Sequence, residues 1–536
     1  MARYLAAKAP EARLSQSHRV WPKAPVIYQV YPRSFRDTTG NGVGDLNGIT
    51  HKLDHIAGLG VDAVWISPFY PSPMSDGGYD VADHIDVHPK MGTLGDFDAL
   101  VRRAHDLGLK VLIDQVFNHT SDAAPWFQRS VLRDPDYDDF YVWRDPKPDG
   151  TAPNNWLSQF GPPAWTWNHK RRQYYYHNFT KHQPSLNLRN EAVQAQLRNV
   201  MRFWLDRGVD GFRMDAITSL LFDPEMRDNP PATPAVQDEV SGENFVPYTY
   251  QDHVHDILPG DGVPFVENVR RWAGEDAFLL GEVTSGNQSI ELACRLSETG
   301  RLDAAYATDL PENGGTAEAY ADILERAPDP RRIGWWLSSH DQPRHAAKAG
   351  DGSDHDVRFL AFVLAMSPGP VIVYQGEELG LAQPDLPKGA VTDPLDLLYW
   401  PDGPGREGPR VPIPWAEGDD RGFSTGTPWL PMDWPAGISV AVQDIHAGSN
   451  LNFYRQVLAF RRDRELGNMA LTDWSRDGQV IRLTYGAGQQ AGVPDAEVVL
   501  NFGPDTTRCR AKPDFASTAF GGTHMPGRCG AVWLRE

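Results

Sequence analysis

The stretch GFRMDA at residues 211–216 decides how this chain folds and what chemistry it carries. In an extended strand, side chains two apart share a face, so Arg213 and Asp215 point the same way. A guanidinium beside a carboxylate keeps that carboxylate ionised at neutral pH. Two further acids follow at the ends of later predicted strands, Glu282 in LLGEV and Asp341 in WLSSHD. One carboxylate held anionic, one free to be protonated and a third to grip substrate form the equipment that glycosidic-bond cleavage requires.

Outward from that strand, short β-rich runs alternate with helical stretches. Predicted strands cover 26–35, 63–70, 110–118, 211–217, 278–283, 303–310, 333–341 and 369–379, with amphipathic segments such as 93–107 and 190–207 between them. Eight strands in βα alternation predict an α/β fold, a parallel (β/α)₈ TIM barrel. An open, doubly wound sheet is the rival. The polar residues gather at the C-terminal ends of many strands, where barrel chemistry sits, and this favours the barrel.

Two interruptions stand out. Residues 120–185 are rich in Trp, Tyr, Pro and Asn, resist regular assignment and read as a loop-rich inserted domain with a function of its own. Residues 382–434 carry many Pro, Gly and Asp and read as an extended loop. A helix is predicted at 450–465, and from about Leu471 the alternating runs QVIRLTY and AEVVLNF predict a small antiparallel β-domain. The expected division is 1–119 and 186–468 for the barrel, 120–185 for the insertion and 469–536 for the C-terminal β-domain.

Composition narrows the partners. The 536 residues carry 51 Lys and Arg against 71 Asp and Glu, a formal charge of −20, and no basic block stands out. That argues against nucleic acid and anionic membrane, and suits a neutral substrate. No run of 18 apolar residues exists, and MARYLAAKAPEARLSQSHRVW lacks the apolar core of a secretory signal. Three cysteines are too few and odd in number for a disulfide framework, so cytoplasmic residence with free thiols is expected, while a Cys509–Cys529 pair stays open. A monomer or homodimer is expected. Flat faces among the 17 Trp suit stacking on sugar rings, although most will be core.

Six motifs, DQVFNH (114–119), QPSLN (183–187), GFRMDA, GEV, SSHD and PVIVYQGEELG, occur in an order that resembles the α-amylase superfamily, glycoside hydrolase family 13. Within it the chain is similar to the α-glucosidase and oligo-1,6-glucosidase group, from about Val26 to the C-terminus. The resemblance implies a retaining double displacement without a catalytic cofactor. Asp215 would attack the anomeric carbon, and Glu282 would protonate the departing oxygen and later activate water. Asp341 would bind ring hydroxyls and distort the sugar. For each acid the bland alternative is a strand-end salt bridge or a helix cap.

By the same resemblance His119 and His340 would contact hydroxyls of bound glucose, and Tyr79 would stack on its ring. Asp76 and Arg410 would close the far end of the pocket, with neighbouring Arg406 the alternative to Arg410. A closed end implies exo action. Phe160 and Phe179 read equally as walls of the entrance or as ordinary packing. Ala216 follows the nucleophile; similar chains with Val there favour α-1,6 bonds, and a stiff β-branched side chain would fill the aglycone side. A methyl therefore points to α-1,4 substrates.

The loop DTTGNGVGD (37–45) resembles a calcium loop, which implies a structural Ca²⁺ or Mg²⁺ on Asp37, Thr39, Asn41, the Val43 carbonyl and Asp45. A Gly-rich turn with Asx hydrogen bonds is the alternative. Thr39 and Asn41 stand where relatives carry Asn and Asp, and Ser185 stands where they usually carry Asp.

The expected activity is an exo-acting α-glucosidase on small α-glucosides such as maltose, with sucrose a candidate, that also transfers glucose to acceptors. The alternatives are an oligo-1,6-glucosidase and a sucrose- or maltose-converting glucosyltransferase or isomerase. The RLDRD loop of sucrose isomerases is not seen after the sixth predicted strand, where this chain reads DLPENGG. A non-catalytic, transporter-associated chain would lack the acids and carry a membrane helix.

Overall fold

The computed structural model describes residues 20–233, 247–284, 288–348, 352–486 and 495–535; residues 1–19, read above for a leader, lie outside them. Strands β1 (Val26–Val30), β2 (Ala63–Ile66) and β3 (Lys110–Gln115) are followed by three short strands of the insertion, β4 (Trp143–Arg144), β5 (Trp165–Asn168) and β6 (Gln173–Tyr176). Then come β7 (Gly211–Met214), β8 (Phe278–Val283), β9 (Ala304–Ala307) and β10 (Val371–Tyr374). One parallel sheet runs in the order β10-β1-β2-β3-β7-β8-β9.

The edges of that sheet are joined. Ile333 bridges Ala305 of β9 and Trp335 bridges Val371 of β10, both parallel. The Gly334 amide donates to the Ala305 carbonyl and the Ile372 amide to the Trp335 carbonyl. The barrel therefore closes through three residues, and the strand predicted at 333–341 is corrected to this stub. Beyond it the chain leaves the sheet at Trp336, whose indole donates to the Ala307 carbonyl at 2.7 Å. The other predicted strands shorten at their C-terminal ends, where the chain turns into loops, or keep their length, as at β8.

Alternation along the staves builds the site. Ile27, Ala63, Leu112, Phe278, Leu280, Ala304 and Ile372 form one buried cluster inside the barrel. Their neighbours Tyr28, Val30, Val64, Ile66, Val111 and Ile113 pack outward under the helices. Burial on both faces explains why these strands read as continuous apolar runs. Two residues past the apolar interior layer, the same face carries Gln29, Trp65, Asp114, Arg213 and Glu282 at the C-terminal ends.

The helices lie one or two residues inside their predicted bounds because the flanking residues are caps. Thr93 and Asp96 form a capping box on Leu94–Asp106, and Asn190 caps Glu191–Leu205 through the Ala192 amide. The insertion is more regular than expected. It holds the helix Pro125–Val131 and an antiparallel sheet in the order β4-β6-β5. Runs such as QYYY hide a strand because they do not alternate polar with apolar. The bridge between His119 and Ser185 ties the insertion to the barrel mouth. At the C-terminal end β11 (Ala470–Asp477), β12 (Val480–Gly486), β13 (Asp495–Asn501), β15 (Phe515–Ala516) and β17 (Cys529–Arg535) make a five-stranded antiparallel sheet, with β14 (Thr507–Arg508) paired to β16 (His524–Met525). Cys294, Cys509 and Cys529 are free thiols.

Glycine at 211 is a packing requirement. A Cβ there would lie 2.4 Å from the Phe278 carbonyl oxygen of the neighbouring strand. Gly211→Ala is expected to destabilise the fold by about 1–3 kcal/mol, as overpacking of a rigid core does, read as a lower midpoint in urea unfolding.

Candidate active site

Arg213 is the hub. Its side chain is fully buried, and its Nη1 lies 2.5 Å from Asp114 Oδ1 and 2.6 Å from Asp215 Oδ1. Its Nη2 lies 2.7 Å from Glu282 Oε2. The Nε–H donates to the Tyr306 hydroxyl at 2.9 Å, and the guanidinium sits 5.1 Å from the Trp65 ring centroid. β3, β7, β8 and β9 thus each send a side chain to one point. The expectation that Arg213 holds Asp215 anionic is corrected, because three carboxylates share the one cation. Fully ionised, the group would carry two uncompensated negative charges in a buried site. Burial pushes the Asp215 carboxyl well above its ordinary value, Arg213 pulls against it, and Glu282 and Asp114 add to the push.

Ala216 belongs to the same device. Its amide donates to Glu282 Oε2 at 2.9 Å, orienting the carboxyl against the strand that carries Asp215. Its φ of 42° lies in the left-handed region. There a β-branched side chain would add strain, so the small residue has a backbone reason beside its steric one.

A second cluster surrounds Asp341, whose side chain is 31% exposed. Burial opposes its charge, yet Arg406, His340 and Arg410 outweigh burial and hold its carboxyl well below the ordinary carboxylate range. Arg406 Nη2 lies 2.7 Å from Asp341 Oδ1 and 3.4 Å from Asp76 Oδ1. Arg410 Nη2 lies 2.8 Å from Asp341, but its Nε–H donates to the His340 carbonyl and its Nη1 lies 2.9 Å from Asp393. Between the two arginines, it is Arg406 that meets Asp76, while the fully buried Arg410 braces the SSHD loop. Arg406 Nη1 also lies 3.3 Å from Asp393 Oδ2, an ion pair.

The remaining named residues converge here. Tyr79 stacks on His340 at 5.0 Å, leaving its buried hydroxyl without a partner. His340 Nδ1 meets Gln29 Nε2 at 2.8 Å. His119 pairs with Asn118 and the Tyr79 carbonyl, and burial drives its imidazole down to about 3, so it stays neutral. Gln183 donates to Asp76 Oδ2 at 2.9 Å and lies 3.1 Å from His119. Phe179 packs edge-on to His119 at 5.3 Å, and Phe160 to Phe179 at 6.0 Å. Ser185 gives its backbone to the bridge with His119, and its buried hydroxyl has no partner.

Sequence reasoning missed Gln29, Asp114, Gln183 and Asp393 as site residues. Asp114 and Gln183 stand inside quoted motifs, and the period-2 pattern of β3 would have placed Asp114 on the inner face. Asp393 lies in a loop without a local pattern, so nothing in the chain marks it.

The expected metal loop lies apart from these acids. Asp37 Oδ1 accepts from the Thr39 and Gly40 amides and the Thr39 hydroxyl; its Oδ2 accepts from the Gly42 amide and the Ser424 hydroxyl. Asp45 caps the helix Leu46–Gly58 and accepts from the Thr38 amide. Asn41 Oδ1 accepts from the Val43 amide. Among the described residues there is no group of three or more His, Cys, Asp or Glu that could hold a metal ion. Both carboxylates accept from amide and hydroxyl donors.

A parallel barrel with acids gathered on its C-terminal mouth defines an enzyme of carboxylate chemistry. Residues 29–468 match the family described as Alpha amylase, catalytic domain, and the chain belongs to that family. It is 46% identical over 461 residues to a probable alpha-glucosidase of Rhizobium meliloti (strain 1021), covering 84% of each chain. It is 33% identical over 488 residues to an oligo-1,6-glucosidase of Parageobacillus thermoglucosidasius, again 84% of each. The crystal structure of an alpha-glucosyl transfer enzyme, XgtA, superposes with a TM-score of 0.88 at 37% identity, covering 96% of this chain and 99% of that one.

The shared cation makes a signed prediction. Asp114 adds to the push on Asp215. Asp114→Asn removes that push and frees Arg213 for its neighbours, so Asp215 should become a carboxylate at lower pH. Because Asp215 must be ionised to attack, the acidic limb of the kcat/KM profile is expected to move to lower pH, a readout independent of how much protein folds.

Proposed function

We propose that the chain is a retaining, exo-acting α-glucosidase that releases α-glucose from the non-reducing ends of short α-glucosides and also transfers glucose to acceptors. The single observation that carries this is Asp215 and Glu282 gripped by adjacent nitrogens of Arg213, one behind the other on neighbouring strands. In the first step Asp215, as a carboxylate, attacks the anomeric carbon while Glu282 delivers a proton to the leaving oxygen. In the second, Glu282 takes a proton from water or an alcohol, which attacks the same carbon and frees Asp215.

Asp341, Arg406 and Asp76 form a closed polar end suited to the hydroxyls of a terminal glucose, with neutral His119 and Tyr79 alongside. Such an end stops a chain from passing through and supports exo action. The strained backbone at Ala216 supports a small residue on the aglycone side and hence α-1,4 linkage; an oligo-1,6-glucosidase is the second reading, supported by the relative of that name.

Cytoplasmic residence, as a monomer or homodimer, is part of the proposal, supported by three free thiols and a charge of −20. No helix among the described residues is long and apolar enough to cross a membrane. A structural Ca²⁺ or Mg²⁺ at residues 37–45 enters only as a proposal. It rests on the resemblance of that loop, and its ligands would first have to give up the hydrogen bonds on Asp37.

Asp215→Asn is expected to lower maltose hydrolysis by roughly a thousandfold or more, as loss of a nucleophile does. Proton NMR of the wild-type reaction should show α-glucose first, and maltose should turn over faster than isomaltose; β-glucose first would end the retaining mechanism. For the ion, EDTA should lower Tm, and an unchanged Tm would remove it from the account.

A further inference from the structure

Behind the pocket lies a buried acid that the reaction above does not use. The segment after β10 carries two adjacent glutamates, Glu377 and Glu378, both buried. Glu378 is well partnered: it accepts from the Tyr28 hydroxyl and the Gly376 amide at 2.8 Å each and meets His55 Nε2 at 3.0 Å. Glu377 differs. Among the described residues neither of its oxygens has a hydrogen-bond partner, and nor does Nε2 of the buried His345 beside it. Glu377 Oε1 lies 3.8 Å from His345 Nδ1.

Glu377 lies against the base of the loop 338–345, which presents His340 and Asp341 to the pocket. One side chain closes that base. Ser338 Oγ accepts from the His345 amide at 2.9 Å and meets His345 Nδ1 at 3.0 Å. The Ser338 hydroxyl also stands against Glu377, without completing a hydrogen bond. The fully buried Arg344 ties the same loop down: its guanidinium donates to the Gln375 and Pro409 carbonyls, both at 2.9 Å. Gly376 permits that approach, since a Cβ there would lie 2.9 Å from Arg344 Nη1. Pro409 in turn precedes Arg410, which holds the His340 carbonyl and Asp341.

Burial pushes the Glu377 carboxyl up to about 8, against the pull of Ser338, the Tyr374 backbone and Arg344. Burial also drives the His345 imidazole down to about 3, so at neutral pH a neutral acid faces a neutral ring. The other titratable groups around them are Glu378, Arg344 and Tyr454 of the helix Asn450–Asp463, with Tyr28 and Tyr374 about Arg344. Beside a neutral acid, the Ser338 hydroxyl is free to donate to His345 Nδ1. An ionised Glu377 is a stronger acceptor and would draw that hydroxyl away, opening the loop at its base.

We propose that Glu377 is a positioning residue: through Ser338 and His345 it fixes the loop that sets His340 and Asp341 against the terminal glucose. The inference rests on the glucosidase reading and adds to it a group that never touches substrate.

Glucose, the product, is the probe, because a competitive inhibitor reports the pocket without the proton transfers of the reaction. Its Ki against maltose hydrolysis is measured with the whole enzyme from neutral pH to well above 8, and Ki does not depend on the folded fraction. In the wild type, Ki is expected to be flat near neutral pH and to rise roughly tenfold above about 8. Glu377→Gln keeps the shape and stays neutral, so its Ki should match the wild type at neutral pH and show no rise. Glu377→Leu offers Ser338 and His345 no polar group, and its Ki should be roughly tenfold higher already at neutral pH. The wild-type and Gln measurements decide the matter should the Leu variant not fold. A flat wild-type Ki, the same rise in Glu377→Gln, or an unchanged Ki in Glu377→Leu overturns the positioning role alone. Failure to release any glucose from maltose overturns the glucosidase reading and this role with it.

Discussion

Everything at the mouth of this barrel depends on one buried cation facing three carboxylates. Arg213 cannot balance Asp114, Asp215 and Glu282 as three full charges, since a single positive charge leaves two negatives in a largely buried site. Burial and the neighbouring acids accordingly push the Asp215 carboxyl up, and Arg213 pulls against them. Removing Arg213 would strand the carboxylates, so the same contact holds the fold together and prepares the reaction.

The second cluster has one more cation. Around Asp341 two arginines and His340 surround an acid whose pocket-facing side is partly open, and it stays anionic. Three carboxylates thus share one arginine in the first cluster, whereas in the second Asp76, Asp341 and Asp393 share two. Asp393 pairs with both arginines and also caps the helix Pro394–Leu398.

Much of this was legible in the chain. GFRMDA, GEV and SSHD place their acids at the C-terminal ends of buried runs, and side-chain alternation then puts Arg213 and Glu282 on the same interior face. The barrel class follows from the same runs, because strands buried on both sides read as unbroken apolar stretches. The short stub at Ile333–Trp335 was not legible. Its neighbours WLSSHD look like a strand to any local rule, yet the sheet needs only three residues to close. The β-sheet of the insertion was hidden for a related reason, since aromatic residues on both faces erase the polar alternation that marks a strand.

What the sequence determined by itself is the list of acids, their order and the strands that carry them, because periodicity and burial are local properties of the chain. What only the tertiary structure decided is how the charges are shared. Arg406 rather than Arg410 meeting Asp76 and Asp114 drawing on Arg213 join residues 330 and 99 positions apart. Coulomb interactions and desolvation depend on distance in space, and separation along the chain does not report it.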